Sequence, residues 1–406
     1  MKRENRTKNN TAVQKENGFL LMTLYSALRV YYHLCGIRIR GVNKCGRMPE
    51  KPSIVLCNHG AFIDFIYAES LLIKSRPHFV VARLYFYHKL LGWLLRKLGC
   101  FPKSMFALDM ESTKNCLRVL KDGEILAMMP EARLSTVGQF EDIQGSTYSF
   151  LKKANVPVYT VKLQGDYFSS PKWGNGPRRG AVVEAELDIL FTAEQLAALS
   201  VEEIKAAVEQ RLHYDEFQWL AARPNIRYRN KKLAEGLENV LTLCPVCGEK
   251  YTLSTRGTDI LCKHCGKLTS LDDRYGFVGG FRFENFAQWY QWQKEVLQQE
   301  ILNDDAFSLR AKVELRLPGD GKSLTRSAGN GECVLDRSGL RYTGTKDGEE
   351  VDVHFPIKQV YRLLFGAGED FEIYNGTQIW YFVPEVKQSC VDWYLASMIL
   401  HDMAAK

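Results

Sequence analysis

Residues 53–64 read Ser53-Ile54-Val55-Leu56-Cys57-Asn58-His59-Gly60-Ala61-Phe62-Ile63-Asp64. The first five form a short, mostly apolar run of the kind a strand covered on both faces requires. The run stops at Asn58, and the pattern over 65–73 predicts a helix. A strand turning directly into a helix is half of a βα unit, and the pattern returns downstream. Residues 124–129 and 156–163 are further strand candidates, each preceded by a helix-like segment. This alternation predicts an α/β domain with a mostly parallel sheet, its chemistry in loops at the strand ends.

His59 and Asp64 are the chemically interesting pair in that stretch. On one helix a spacing of five would set their side chains about 140° apart. Contact therefore requires His59 in the strand–helix turn and Asp64 reaching back from the first helical turn. Such a pairing fixes the imidazole tautomer and raises its basicity. An Asp cap beside an incidental histidine remains the alternative. A second cluster, Pro130-Glu131-Ala132-Arg133-Leu134-Ser135, follows the strand at 124–129. An arginine there can hold a phosphate through two parallel hydrogen bonds. A surface salt bridge between Glu131 and Arg133 explains the same residues equally well.

Taken together, these residues resemble the lysophosphatidate (1-acylglycerol-3-phosphate) acyltransferase family. Its motifs read Asn-His-x-Ser-x-x-Asp, a Gly-to-Arg motif, Pro-Glu-Gly-Thr-Arg-Ser and a Val-Pro-Val strand, in that order. Here the order is Asn58 to Asp64, Gly99-Cys100-Phe101-Pro102-Lys103, Pro130 to Ser135 and Val156-Pro157-Val158, and the resemblance covers roughly residues 18–215. Ala61 stands where the family often has Ser, Lys103 replaces an Arg, and Ala132 replaces a Gly with Arg133 one position early. That third motif looks more like the Pro-Glu-Gly-Arg variant of acyltransferases acting on lysophosphatidylethanolamine. Thr160 stands in place of the proline usual in the fourth motif. These departures leave the acceptor head group open.

The resemblance implies a glycerolipid acyltransferase fold over 39–235 and transfer of a fatty acyl group from acyl-CoA or acyl carrier protein to a lysophospholipid hydroxyl, most closely lysophosphatidate. It implies His59 as the base that deprotonates the acceptor, with Asp64 orienting it. The substrate-binding set would be Asn58, Gly60, Lys103, Glu131, Arg133 and Ser135. Lys103 and Arg133 would hold the acceptor phosphate, and Glu131 would keep that site in shape. Oxyanion donors are expected among backbone N–H groups near Gly60 or in the turn from Glu131 to Arg133. Cys57 is a covalent alternative, placed unfavourably in the strand.

Eleven cysteines do not form a secreted disulfide pattern, because four of them sit in Cys244-Pro-Val-Cys247 and Cys262-Lys-His-Cys265. Two such knuckles, each followed by glycine, suit a tetrahedral structural zinc ribbon over 240–270 in a reducing compartment. His264 is a possible substitute ligand. A closed four-Cys site leaves no position for substrate, so this zinc stabilises and does not catalyse.

The 406 residues carry a net charge of +7, too little for a whole-surface polyanion binder but enough to favour anionic surfaces. Residues 1–38 read as a basic arm (Lys2, Arg3, Arg6, Lys8) and an apolar stretch containing Arg29 and His33, with no cleavage site for a signal peptide. An interfacial helix is favoured there over a membrane span or a core helix. Residues 83–98 interleave apolar and basic side chains, as a membrane-contacting helix or a plain packing helix would. Phe286, Trp289, Tyr290 and Trp292 fall near helical spacing and favour core packing over membrane contact. Residues 276–406 predict a small β-rich domain closed by a C-terminal helix, faintly resembling pleckstrin-homology or GRAM modules. The expected location is the cytoplasmic face of the cell membrane, peripheral or monotopic. Rival readings are a catalytically inactive lipid-sensing membrane-binding protein and a zinc-ribbon nucleic-acid binder. No nucleic acid is expected as a partner, because the ribbon is not strongly basic and lacks interleaved aromatics.

Overall fold

Ser53–Cys57 forms a strand in which all five residues are buried, as its apolar run requires. It lies at the centre of the first of two compact units in the computed structural model, which describes residues 13–107 and 109–405. The first unit comprises Met1–Pro171 and Gly176–Tyr228; the second comprises Lys172–Asn175 and Arg229–Lys406. The basic arm at Lys2, Arg3, Arg6 and Lys8 lies outside the described residues.

The first unit is built on strands β1 (Arg38–Asn43), β2 (Ser53–Cys57), β3 (His78–Ala82), β4 (Phe101–Lys103), β5 (Ile125–Met128), β6 (Val158–Gln164) and β7 (Val182–Phe191), in the order β1-β7-β6-β2-β5-β3-β4. From β6 through β2, β5 and β3 to β4 every pairing is parallel. β7 runs antiparallel to β6 and β1 runs parallel to β7, so the sheet is mixed and mostly parallel. Helices α1 (Gly18–Leu34), α2 (Asp64–Leu72), α3 (Lys89–Lys97), α4 (Met110–Lys121), α5 (Ser146–Ala154) and α6 (Val201–Leu212) surround it. Ile54 and Leu56 pack in one apolar cluster with Val119 of α4, Leu151 of α5 and Val208 of α6. Val55 and Cys57 alternate to the other face, where α2 packs across β1, β6 and β7.

α2 also buries an acid. Glu69 is buried and its Oε2 has no hydrogen-bond partner among the described residues. Burial raises its carboxyl from 4.5 to about 8. The folded state therefore holds a proton there that the unfolded chain releases at ordinary carboxylate pH. The stability this contributes is complete below about 4.5 and is lost as the pH rises through about 8. Glu69→Gln is expected to raise the melting temperature relative to wild type at pH 8 and to leave it little changed at pH 4, as paired thermal melts would read.

α1 rests on α2 through Leu21 and Tyr25, one helical turn apart. Five of its apolar side chains are exposed, Phe19, Met22, Val30, Tyr31 and Leu34, with Phe19 at 84%. Asn17 starts the helix: its side chain accepts Leu20 N–H, and its own N–H donates to Lys97 O at the end of α3. α3 exposes Leu90 (68%) and Trp93 (51%). Among the described residues no helix is long and apolar enough to cross a membrane.

In the second unit, β8 (Leu253–Arg256), β9 (Asp259–Cys262) and β10 (Gly266–Ser270) form a small antiparallel sheet. Helix α7 (Phe286–Asn303) follows, with Phe286, Trp289 and Tyr290 buried. Its aromatic face is core packing: Trp289 Nε1–H donates to Leu243 O, and Gln293 bonds Thr242 N–H and Val240 O. Seven strands then run β11 (Ser308–Pro318), β12 (Thr325–Asp336), β13 (Gly339–Lys346), β14 (Glu349–Pro356), β15 (Leu364–Phe365), β16 (Phe371–Asn375) and β17 (Gln378–Pro384). Their order is β14-β13-β12-β11-β17-β16-β15, and all pairings are antiparallel. α8 (Cys390–Ala404) packs on this sheet, with the Trp393 ring stacked on Phe371 at 4.4 Å.

Candidate active site

The site is built where β2 ends. Asn58 is buried, and its side-chain amide bonds both Leu163 O (2.9 Å) and Leu163 N–H (2.7 Å). This stitches the end of β2 to β6. The chain then turns through His59-Gly60-Ala61, and α2 begins at Asp64 itself. Asp64 Oδ2 accepts Ala61 N–H at 2.9 Å and lies 3.0 Å from His59 Nδ1. Burial raises the Asp64 carboxyl well above the usual range; as the anion it accepts Nδ1–H of a neutral His59, which leaves Nε2 as the basic atom. Nε2 has no partner among the described residues, and the side chain is 21% exposed, so the ring lies open to a substrate. Loss of solvent around the rest of the ring pulls its pKa down to about 4, against a weaker upward pull from Glu131.

Glu131 is buried under the same turn. It accepts His59 N–H (2.9 Å), Glu141 N–H (3.0 Å) and the Tyr214 hydroxyl (3.2 Å). Burial raises its carboxyl to about 7, and those N–H groups restrain the rise. Ser135 is likewise turned inward. Its N–H donates to His59 O, and its hydroxyl donates to Gln139 O while accepting Gly138 and Gln139 N–H. Asn58, Glu131 and Ser135 thus spend their hydrogen bonds on shaping the turn, not on an open surface. Arg133 is buried beside them, its Nε 2.7 Å from Glu141 and its guanidinium over the Phe106 ring. Its partner is Glu141, not the Glu131 that the sequence offers.

Two further outcomes concern the backbone. The N–H groups of His59, Gly60 and Ala61 donate to Glu131, Asp166 and Asp64 respectively. That commits the Gly60 region, one of the two expected sources of oxyanion donors. Ala132 has φ of 58°, a left-handed conformation that costs an L side chain about 1 kcal/mol. Ala132→Gly is therefore expected to raise stability by up to about 1 kcal/mol, measurable in a denaturant melt.

Lys103 ends β4, three strand spacings or about 14 Å from β2. It has no hydrogen bond or ion pair among the described residues. Sequence reasoning missed Asp166 and Glu216. Asp166 follows β6 after Gly165 and is buried, with Oδ2 accepting Gly60 N–H at 3.1 Å. Glu216 is buried behind it, and both of its oxygens accept Gly165 N–H. An acid just past a buried strand, on the edge where α/β sites collect, was the only local signal.

In the second unit, Cys244, Cys247, Cys262 and Cys265 bring their sulfurs within 4.8 Å of one another. Cys244–Cys265 and Cys247–Cys262 are 4.0 and 3.8 Å apart. Tetrahedral Zn–S bonds of 2.3 Å place sulfurs about 3.8 Å apart, so this donor set fits the ion. Cys262 Sγ also receives His264 N–H and faces the Thr252 hydroxyl, each at 3.4 Å. His264 itself is not in the cluster.

Residues 37–164, covering β1 through β6 and the His59 turn, match the family model described as Acyltransferase. The first unit thus carries an acyltransferase-like domain. The chain is 22% identical over 181 residues to the 1-acyl-sn-glycerol-3-phosphate acyltransferase of Bacillus subtilis (strain 168), covering 43% of this chain and 88% of that one. To the chloroplastic 1-acyl-sn-glycerol-3-phosphate acyltransferase of Arabidopsis thaliana it is 25% identical over 118 residues, 29% of this chain and 33% of that one. The crystal structure of the 1-acyl-sn-glycerophosphate acyltransferase PlsC from Thermotoga maritima aligns with a TM-score of 0.35 and 20% identity, covering 43% of this chain and 69% of that one.

Proposed function

We propose that the first unit transfers a fatty acyl group from acyl-CoA or acylated acyl carrier protein to the free hydroxyl of a lysophospholipid, lysophosphatidate first among them. The carrying observation is the His59–Asp64 pair at 3.0 Å, with Nε2 free on a partly exposed ring. His59 Nε2 takes the acceptor hydroxyl proton as that oxygen attacks the thioester carbonyl. Asp64 holds Nδ1–H and stabilises the imidazolium. The tetrahedral intermediate collapses, the C–S bond breaks, and the departing sulfur takes the proton from Nε2. With the His59–Ala61 N–H groups committed, the turn from Glu131 to Arg133 is the other expected source of oxyanion donors, although its Ala132 N–H already donates to Met129 O. Lys103 is the cation best available for the acceptor phosphate; Arg133 would share its fork with Glu141.

Attachment to a membrane surface is supported by Phe19 on α1 and by Leu90 and Trp93 on α3, all exposed on helices that meet at Asn17 and Lys97. The cytoplasmic face is the expected side. In the second unit the four cysteines would hold a structural zinc. The seven-strand order with a closing helix supports a pleckstrin-homology-like reading of that sheet.

Because the acceptor itself is the nucleophile, acyl thioester alone should release no thiol when mixed with the protein. Adding lysophosphatidate in liposomes should start steady release, followed by absorbance of a thiol reagent. A stoichiometric burst without acceptor would mean an acyl-enzyme and remove His59 from the role given to it.

A further inference from the structure

We propose that Asp166 is a positioning residue for this reaction: as a neutral acid it donates to Asp64 Oδ1 and so keeps Asp64 an anion aimed at His59. The inference rests on the acyl-transfer reading of the same site and adds a residue that none of its sequence motifs contains.

Asp166 is buried, and its Oδ2 accepts Gly60 N–H at 3.1 Å. The approach is so close that a Cβ on Gly60 would lie 2.3 Å from that oxygen. Glycine at 60 is therefore what admits Asp166 against the catalytic turn. The Oδ1 atoms of Asp64 and Asp166 are both buried and receive no N–H. The adjacent N–H groups of Gly60 and Ala61 hold Asp166 and Asp64 on one turn, and a proton shared between the two carboxyls gives the orphaned oxygens the partner they lack. Two buried carboxylates in contact cannot both stay ionised, so the pair keeps one proton.

The donors around the pair decide which acid keeps it. Asp64 Oδ2 collects Ala61 N–H and His59 Nδ1–H, two bonds that favour its anion. Asp166 Oδ2 takes Gly60 N–H alone, against two donors on Asp64 Oδ2, and Glu216 is a further buried acid acting on it. Burial raises both carboxyls well above the usual range, so the donors around the pair, not burial, place the proton on Asp166. Its backbone is fixed as well: Ser169 Oγ donates to Asp166 O, and the Tyr67 hydroxyl bonds that Oγ. Without this donor, Asp64 Oδ1 would be a buried acceptor with no partner, and Asp64 would tend to take up a proton itself. A protonated Asp64 no longer orients the ring.

The test compares Asp166→Asn with Asp166→Ala in the full chain, by kinetics and by NMR of protein labelled with ¹⁵N-histidine. The His59 signals are identified by their loss in His59→Gln. Asparagine keeps both bonds, its carbonyl toward Gly60 and its NH₂ toward Asp64. It should hold kcat within about 3-fold of wild type, whereas alanine should lower kcat by about 10–100-fold with KM nearly unchanged. In the spectra, His59 should be the Nδ1–H tautomer in wild type and in Asp166→Asn, and should leave that form in Asp166→Ala. An alanine variant indistinguishable from wild type would overturn the proposal, and so would an asparagine variant as impaired as alanine. Should alanine fail to fold, loss of the tautomer in asparagine alone overturns it. A wild type silent toward every donor would sink the acyl-transfer reading, while the tautomer comparison would still decide the role of Asp166.

Discussion

His59→Ala is expected to lower kcat/KM for acyl transfer by about 1,000-fold or more, with the fold retained. Truncation removes the base and one bond to Asp64. The backbone bonds His59 makes, its N–H to Glu131 and its carbonyl to Ser135 N–H, do not depend on the ring. Asp64 keeps Ala61 N–H, so the turn retains its scaffold. The loss should appear in kcat more than in KM, since Nε2 acts on the reacting proton and not on the rest of the substrate. The pH profile offers a second readout. Burial pulls the imidazole down to about 4, and an anionic Asp64 against Nδ1 pulls it back up, so the wild-type acid limb should lie above about 4 and below the 6.5 of an ordinary histidine.

Cys262→Ser, or prolonged chelation, should strip the metal and loosen the second unit. Purified wild-type protein is expected to carry about one zinc per chain and the variant close to none, as metal analysis would show. The structural effect should reach beyond the knuckles. Thr242 and Tyr251, which bracket Cys244 and Cys247, donate their hydroxyls to Asp392 at 2.8 Å each. Asp392 is buried on α8, and burial raises its carboxyl. Gln388 also bonds Leu253 O, at the start of β8. If the knuckles unwind, a buried carboxyl loses its donors at a cost of about 1–3 kcal/mol or more. The far-ultraviolet melt of the second unit should then broaden and shift down. An unchanged melt in metal-free protein would show that the cysteine cluster contributes nothing to the fold.

These two centres differ in how well the sequence announces them. The four cysteines are local pairs in pattern, and their residue type has few other uses at that spacing. β2 was legible because burial on both faces leaves an uninterrupted apolar run. The 140° argument for Asp64 was legible because five residues of chain allow few geometries. Asp166 was not legible, since it reaches Gly60 across 106 positions and only the sheet order makes them neighbours. β1 escaped for another reason: it is an edge strand with a mostly exposed pattern, so neither face imposes an apolar period. β7 continues the sheet in the reverse direction, which a βα alternation does not foretell. The separate ribbon and β-rich segments expected from composition fall in one unit, joined through Asp392 and the bonds of Gln293 to Thr242. That unit comprises Arg229–Lys406 and Lys172–Asn175, the latter inside a Pro/Gly-rich stretch, Pro171 to Pro177, that reads from sequence as a loop.

The most direct test of the central claim is product analysis by mass spectrometry. Purified protein would be incubated with long-chain acyl-CoA, then with acylated acyl carrier protein, over liposomes containing a panel of lysophospholipids. The predicted result is one diacyl product per productive acceptor, carrying the donor's acyl chain, richest from lysophosphatidate and absent with His59→Ala. No diacyl product with either donor, from protein that still binds the liposomes tightly, would contradict the account and leave a lipid-binding protein in its place.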